Sequence, residues 1–169
     1  MKIKHSKVVE LIRVINTFKN VKNNDVLKMF RLASYVTHFN SKIMPEVQAN
    51  EKDKQELQTT VFESYKAALT KYVTDNSLDF DLSLLEVANQ ENGIKVDAFI
   101  KTQPVFAEQL ASLEVELNTK MSEINDREIQ ILPLKLEWIT AGIEISVNDM
   151  MLLQDTILVE DNAKAESVV

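Results

Sequence analysis

Residues 102–125, TQPVFAEQLASLEVELNTKMSEIN, decide the fold. Their apolar side chains recur at steps of four, three, four, four and three residues, the spacing that lines one face of an α-helix. The seam is about three heptads long, enough to pack in a helical hairpin but short for a coiled coil. Its members are Phe106, Leu110, Leu113, Leu117, Met121 and Ile124. Residues 113–117 also alternate as a strand would, but the flanking period favours a helix that buries Phe106 and Leu117.

The same period continues upstream of this seam. One helix begins near Ser6, whose hydroxyl suits an N-cap, and the break at 20–24 precedes a second helix capped by Asn24. The apolar face of the first helix contains Val8, Leu11, Ile12, Ile15 and Phe18. The predicted face of the second contains Val26, Phe30, Ala33, Val36 or Thr37, Asn40 and Met44, widened by Leu27, Phe39 and Ile43.

Pro45 leaves two alternatives for residues 25–75, because proline lacks an amide hydrogen and disfavours helix at the residue before it. The segment is either one long kinked helix or two helices broken near 45–50. Residues 46–54 contain no Gly and consist of tolerable helix formers, which favours continuity. A helical spacing then recurs up to Tyr72, and residues 75–77 predict its end.

Residues 75–97 carry turn signals. Ser83 and Glu86 have the spacing of a capping box. Residues 89–93 predict a turn with Gly93 at positive φ. Residues 94–96 could form a short strand.

After Asn125 the period changes. Residues 128–133 alternate in a β-like manner over their first half, and residues 143–147 do so again. The two segments could pair. Ser146 and Asp149 then approximate a capping box that opens a final helix through Met150, Leu153, Ile157 and Leu158. The predicted fold is mainly α, with a helical hairpin or small bundle from residues 7–75 and 97–125. A small β element near 128–147 and a short C-terminal helix complete it. We expect a single domain over 1–160 and a flexible acidic tail over 161–169.

The composition argues against most catalytic chemistry. The chain has no Cys, two His and two Gly, so thiolate chemistry is excluded and a phosphate-binding glycine loop is absent. Glu10 and Arg13 interrupt the apolar stretch after the basic start, so we expect no signal peptide. No run approaches the ~20 apolar residues that a membrane span requires. We therefore expect no membrane partner.

Three candidate sites fail on spacing. His5 and His38 have no carboxylate or second histidine at ligand spacing. Asp79 and Asp81 resemble a calcium-loop fragment without its glycine and final glutamate. The glutamates of the 106–124 seam lack the Glu-x-x-His pair that di-iron bundles need. We therefore expect no catalytic residue, no cofactor and no metal.

The charges are segregated. Residues 1–47 hold nine Lys/Arg and three Asp/Glu, whereas the remainder holds ten and twenty-three. The acidic net charge of −7 argues against nucleic acid as a partner. The basic third serves either an acidic surface of a protein partner or the chain's own acidic remainder, and we favour the partner. The predicted partner-binding residues are Lys4, Lys7, Lys22 and Trp138, although core packing is the default for a tryptophan.

The order of these segments resembles a known group of proteins. A basic start precedes amphipathic helices. Glu128-Ile129-Gln130-Ile131 follows, then Ile145-Ser146-Val147-Asn148-Asp149 and an apolar final helix. This is similar to the short accessory proteins encoded by tailed bacteriophages, although Met150 replaces a common leucine. The resemblance implies phage origin and supplies no catalytic residue.

These observations predict a non-enzymatic phage accessory protein that acts through protein–protein contacts, as a virion or particle-assembly component. The alternative is an inhibitor of a host defence protein, whose acidic surface would mimic nucleic acid. The apolar seams exceed what one hairpin can bury, so we expect a homo-oligomer or a larger assembly. Its expected location is the host cytoplasm or the virion.

Overall fold

A computed structural model describes residues 1–20, 25–87, 89–139, 143 and 145–159. The fold is mainly α with a short C-terminal helix, as predicted. Its helices are α1 (His5–Thr17), α2 (Val26–His38), α3 (Met44–Asp75), α4 (Gln90–Lys101), α5 (Pro104–Asn125) and α6 (Val147–Thr156). Its strands are β1 (Lys2–Lys4), β2 (Glu128–Gln130), β3 (Leu134–Lys135) and β4 (Leu158–Val159).

The chain divides into two compact units. The terminal unit comprises Met1–Glu51 and Ile124–Val169, and the middle unit comprises Lys52–Glu123. Each has its own apolar core. The single domain predicted over 1–160 stays a prediction, and the predicted tail over 161–169 lies outside the described residues.

The strands of the terminal unit pair differently from the sequence prediction. β2 pairs antiparallel with β1, which places Ile3 opposite Ile129, and both side chains are buried. β3 pairs in parallel with β4. Residues 143 and 145–146 lie outside strands and Val147 begins α6, so the strand predicted over 143–147 is wrong; Glu144 lies outside the described residues. The Ser146 side chain accepts from the amide of Asp149, and this predicted cap starts the helix.

α1 follows β1 without a capping loop. The amide of His5 donates to the carbonyl of Arg127 at 2.7 Å, and the N-cap position falls on Lys4, so the predicted Ser6 cap is wrong. The strand pairing gives an amide of the first turn, that of His5, a backbone carbonyl as its acceptor. A serine hydroxyl at the N-cap would otherwise accept from such an amide. The predicted apolar face is correct in its main members, because Val8, Leu11 and Ile15 are buried.

The chain is helical from Val26 to Asp75, which confirms the predicted continuity. A π-helical turn, Phe39–Ile43, joins α2 to α3 just before Pro45. In this wider turn the amide of Met44 donates to the carbonyl of Phe39, and Pro45 needs no acceptor of its own because it has no N–H.

The buried face of α2 differs from the predicted one. Val36, Phe39 and Ile43 are buried as predicted, together with Leu32 and Tyr35, whereas Val26, Leu27, Phe30 and Ala33 are exposed. Only the C-terminal half of α2 packs against the core. The apolar side chains of its N-terminal half have the same helical spacing, but none of the described residues covers them. Asp25 caps the helix by accepting from the amide of Lys28, and Asn24 lies outside the described residues.

The middle unit contains the second half of α3 together with α4 and α5. Its buried core is formed by Leu69, Val73, Leu85, Val96 and Phe106. Asn89 caps α4 by accepting from the amide of Asn92, and helix continues through residues 93–96. The predicted turn at 89–93 and strand at 94–96 are therefore wrong, because a well-capped helix tolerates one glycine.

The predicted capping box at Ser83 is also wrong. The Asp81 side chain accepts from the amide and the hydroxyl of Ser83, and it caps a 3₁₀ turn, Leu82–Leu85. An Asp two residues upstream of the amide thus performs the role that the sequence pattern assigned to Ser83.

The seam of α5 is helical throughout, which excludes the strand alternative for 113–117. Phe106 and Ile124 are buried as predicted, but Leu110, Leu113, Leu117 and Met121 are only half-buried. The predicted full burial of Leu117 is wrong, because its side chain lines an open groove. Phe106 instead stacks on Tyr72 with ring centroids 4.5 Å apart.

Replacing Phe106 with alanine tests the core of the middle unit. Phe106→Ala should lower the free energy of unfolding by about 3–5 kcal/mol, because it removes a buried aromatic ring and leaves a cavity. The exposed neighbour gives the control, and Val105→Ala should change it by less than about 0.5 kcal/mol. Urea unfolding followed by circular dichroism measures both. Equal effects of the two substitutions would contradict this assignment of the helix face.

Candidate functional site

The described residues contain no group of three or more His, Cys, Asp or Glu side chains placed to hold a metal ion. Asp81, one member of the calcium-like pair, accepts from Ser83, and this hydrogen bond holds the pKa of its carboxyl below the usual range. His38 is half-buried on α2. Asp81 is therefore a capping residue, and His38 lies between the buried and the exposed faces of its helix.

The structure brings together a polar cluster that the sequence analysis missed. His5 is fully buried, and its Nε2 lies 2.7 Å from Oε1 of Glu51. Its Nδ1 lies 3.3 Å from Nδ2 of Asn50, whose Oδ1 accepts from Nη1 of Arg127 at 2.9 Å. These residues lie 45 or more positions from His5 in the sequence. A search for partners at short spacing from the histidine therefore could not find them.

The donor chemistry of Arg127 orients the whole cluster. A guanidinium only donates, so the oxygen of Asn50 must face Arg127 and its amide nitrogen must face His5. Nδ1 of His5 is therefore an acceptor, and its ring proton sits on Nε2, where it is donated to Glu51. Because both ring nitrogens are engaged, His5 has neither a lone pair for a metal nor a free base position. The cluster joins the start of α1 to α3 and to the residue before β2.

The predicted partner-binding residues have the following contacts, and their role stays a prediction. Lys4 pairs with Asp126 at 2.8 Å, and this hydrogen bond raises the pKa of the lysine. Lys7 pairs with Glu10 at 2.9 Å. Lys22 lies outside the described residues. Trp138 is half-buried, edge-on to the ring of Tyr35 at 6.4 Å.

Several cations of the basic third meet carboxylates from the acidic remainder. Besides the Lys4 pair, Lys2 lies 3.0 Å from Glu128 and Arg31 lies 3.3 Å from Glu137. These contacts are the ones expected if the basic third neutralises the chain's own acidic part. Exposed pairs of this kind contribute only about 0–1 kcal/mol each, so they leave the cations able to exchange partners.

An apolar groove of about 520 Å³ lies within the middle unit. Its lining comes from three helices: Val61, Phe62 and Tyr65 of α3, Ile100 of α4, and Leu110, Leu113 and Leu117 of α5. The charged residues of its lining are both acidic, Asp97 and Glu114. Burial, and then the charge of Asp97, raise the pKa of the Tyr65 hydroxyl. The groove can accommodate apolar side chains and attract a cation at its rim.

A second apolar surface lies at the start of α2 in the terminal unit. Val26 is 78% exposed, Leu27 58% and Phe30 71%. We call these three residues the α2 patch. Lys28 and Arg31 lie within one turn of them, with Asp25 at the cap. A cluster of large apolar side chains this exposed is typical of an interaction site.

Comparison with protein-family models, curated proteins and solved structures finds no match to this chain. None of the described helices combines the length and apolar character needed to cross a membrane. The groove, the α2 patch and the charges around them remain as candidate sites for a partner.

Removing the amide of Asn50 tests the polar cluster. Asn50→Ala should lower the free energy of unfolding by about 1–3 kcal/mol, because the buried Nδ1 of His5 loses its donor. Gln48→Ala, on the exposed side of the same helix, is the control and should be neutral. Urea unfolding measures both. A neutral Asn50→Ala would show that water replaces the amide and that the cluster does not fix His5.

The contact of Arg13 with Asp149 should appear in the acid stability of the protein. Hydrogen bonds from Arg13, and then the contact with Ser146, lower the pKa of the Asp149 carboxyl. A lowered folded pKa stabilises the protein fully above the unfolded value of about 3.9, and this contribution is lost as the pH falls through the folded value. Arg13→Gln should therefore flatten the loss of stability below about pH 4.

Urea midpoints measured from pH 2.5 to pH 6 would show this flattening. Lys19→Gln removes one exposed positive charge elsewhere and should leave the acid slope unchanged. An acid slope in Arg13→Gln as steep as in the parent would contradict the assigned role of Arg13.

Proposed function

We propose that this protein is a non-enzymatic binding protein that acts through protein–protein contacts, as an accessory component of phage particles or of their assembly. One observation carries the proposal: the middle unit presents an open apolar groove with an acidic rim. Partly exposed leucines in one groove gain free energy when a partner removes them from water. Interaction through this groove is the function that its geometry supports best.

The phage setting has separate support. It comes from the resemblance of residues 128–131 and 145–153 to tailed-phage accessory proteins. The expected homo-oligomer or larger assembly fits the same setting, because particle components act in many copies. Host cytoplasm and virion are the corresponding locations.

Nucleic-acid mimicry of a host defence protein has weaker support. A mimic would occupy a basic groove through the negative potential of its surface. On α4 and α5 the carboxylates of Glu91 and Glu116 are paired with Lys95 and Lys120 at 2.7 and 2.6 Å. Alternation of the two signs reduces the field that such a surface could present.

A matched pair of substitutions on α5 tests the proposed function. Leu113→Asn alters the groove, whereas Val115→Asn makes a similar change on the exposed face of the same helix. We expect the protein in purified particles of the encoding phage at a constant copy number. Leu113→Asn should lower that number at least about fivefold, and Val115→Asn should leave it unchanged.

Circular dichroism of both variants first establishes that they fold. Quantitative mass spectrometry of the particles then gives the copy number. Absence of the protein from particles, with salt-sensitive binding to one host protein, would overturn the assembly role in favour of the inhibitor. Equal effects of the two substitutions would overturn the role of the groove.

A further inference from the structure

The structure holds two exposed apolar surfaces of complementary charge, and they lie on different units. We propose that the groove in the middle unit of one copy binds the α2 patch of a second copy. This inference rests on the proposed binding role of the groove and names its partner.

The charge of the groove restricts what can occupy it. Asp97 and Glu114 are the charged residues of its lining. Residues 52–123 hold seven Lys and thirteen Asp/Glu, a net charge of −6. Two such grooves facing each other would bring like charges together, which is costly at a desolvated contact. The occupant must therefore be an apolar segment with basic flanks.

The α2 patch has those properties. Val26, Leu27 and Phe30 supply the apolar surface, and Lys28 and Arg31 flank it. The surrounding residues 1–47 carry a net charge of +6. Lys28 and Arg31 already contact Asp25 at 3.9 Å and Glu137 at 3.3 Å. The pair of Arg31 with Glu137 is partly exposed and weak, so this cation can also approach Asp97 or Glu114 of another copy.

The dimensions of the two surfaces agree. Residues 26 and 30 are separated along the helix axis by about 6 Å, at 1.5 Å per residue. The groove extends along α5 from Ala107 to Leu117, which is about 15 Å on the same basis. One turn of α2 can therefore enter the groove with its aromatic side chain inside. Helix-in-groove docking by spaced apolar anchors is a recurrent mode of recognition.

The geometry of this contact dictates the type of assembly. Patch and groove are different surfaces, so the contact is heterologous. In a pair joined by one such contact, one copy keeps its patch free and the other keeps its groove free. Such contacts form rings when the rotation closes and open chains when it does not. The proposed contact therefore adds copies one after another, which an isologous dimer cannot do.

Two full-length variants, each altered on one surface, test the contact. Phe30→Glu disables the patch, with Ser34→Glu on the same helix as its control. Glu114→Lys disables the groove rim, with Glu116→Lys on the same helix as its control. Both altered residues are exposed, and circular dichroism establishes folding. Sedimentation velocity from 1 to 200 μM measures the association.

We expect the average mass of the sedimenting species to rise with concentration for the parent protein and both controls. This rise should be smaller at high salt. Phe30→Glu and Glu114→Lys should each associate at least about tenfold more weakly, because a like or unpaired charge enters the contact. A one-to-one mixture of the two variants retains one intact groove and one intact patch. It should form a pair and nothing larger.

The opposite results overturn the inference. A parent protein that stays monomeric at 200 μM, or a mixture that does not pair, excludes the contact. Undiminished association of Phe30→Glu would assign the interface to two grooves, and that of Glu114→Lys to two patches. Monomeric protein found in particles would overturn this inference alone. Phe30-dependent association of a protein absent from particles would overturn the assembly role alone.

Discussion

The pairing of β1 with β2 is the constraint on which the terminal unit depends. It joins the first residues of the chain to a segment that follows α5, and it buries Ile3 against Ile129. The ladder continues into α1, because the amide of His5 donates to Arg127 just before β2 begins. Closing a loop this long costs conformational entropy. The apolar core that α1, α2 and α6 build around the ladder offsets that cost.

The polar cluster at the end of this ladder restricts the position of α3 along its own axis. A buried imidazole without partners is expensive, and His5 finds both partners on neighbouring residues of α3, Asn50 and Glu51. A shift of α3 along its axis would separate them from the ring. The cluster therefore acts as a registration point, and Arg127 orients it because a guanidinium can only donate.

The middle unit concentrates its burial at one end of its helices. Tyr72, Val96 and Phe106 pack together, while Leu113 and Leu117 on the same seam of α5 line an open groove. The terminal unit shows the same contrast along α2, whose first turns expose Phe30. In both units the apolar face of a helix is longer than the part of it that the core buries. This surplus of apolar surface is the physical basis for proposing that copies of the chain bind one another.

The sequence by itself determined part of the local structure: the helical period of α5, the Ser146 cap and the continuity across Pro45 all depend on neighbouring residues. The predicted cap at Ser6 was wrong because a tertiary contact, the strand pairing, took its place. It also supplied the segregation of charge that makes the two surfaces complementary. The strand partners, the cluster around His5 and the exposed part of each seam were decided only by the tertiary structure. Strand pairing and side-chain burial join residues far apart in the chain, and periodicity says which face is apolar without saying what covers it.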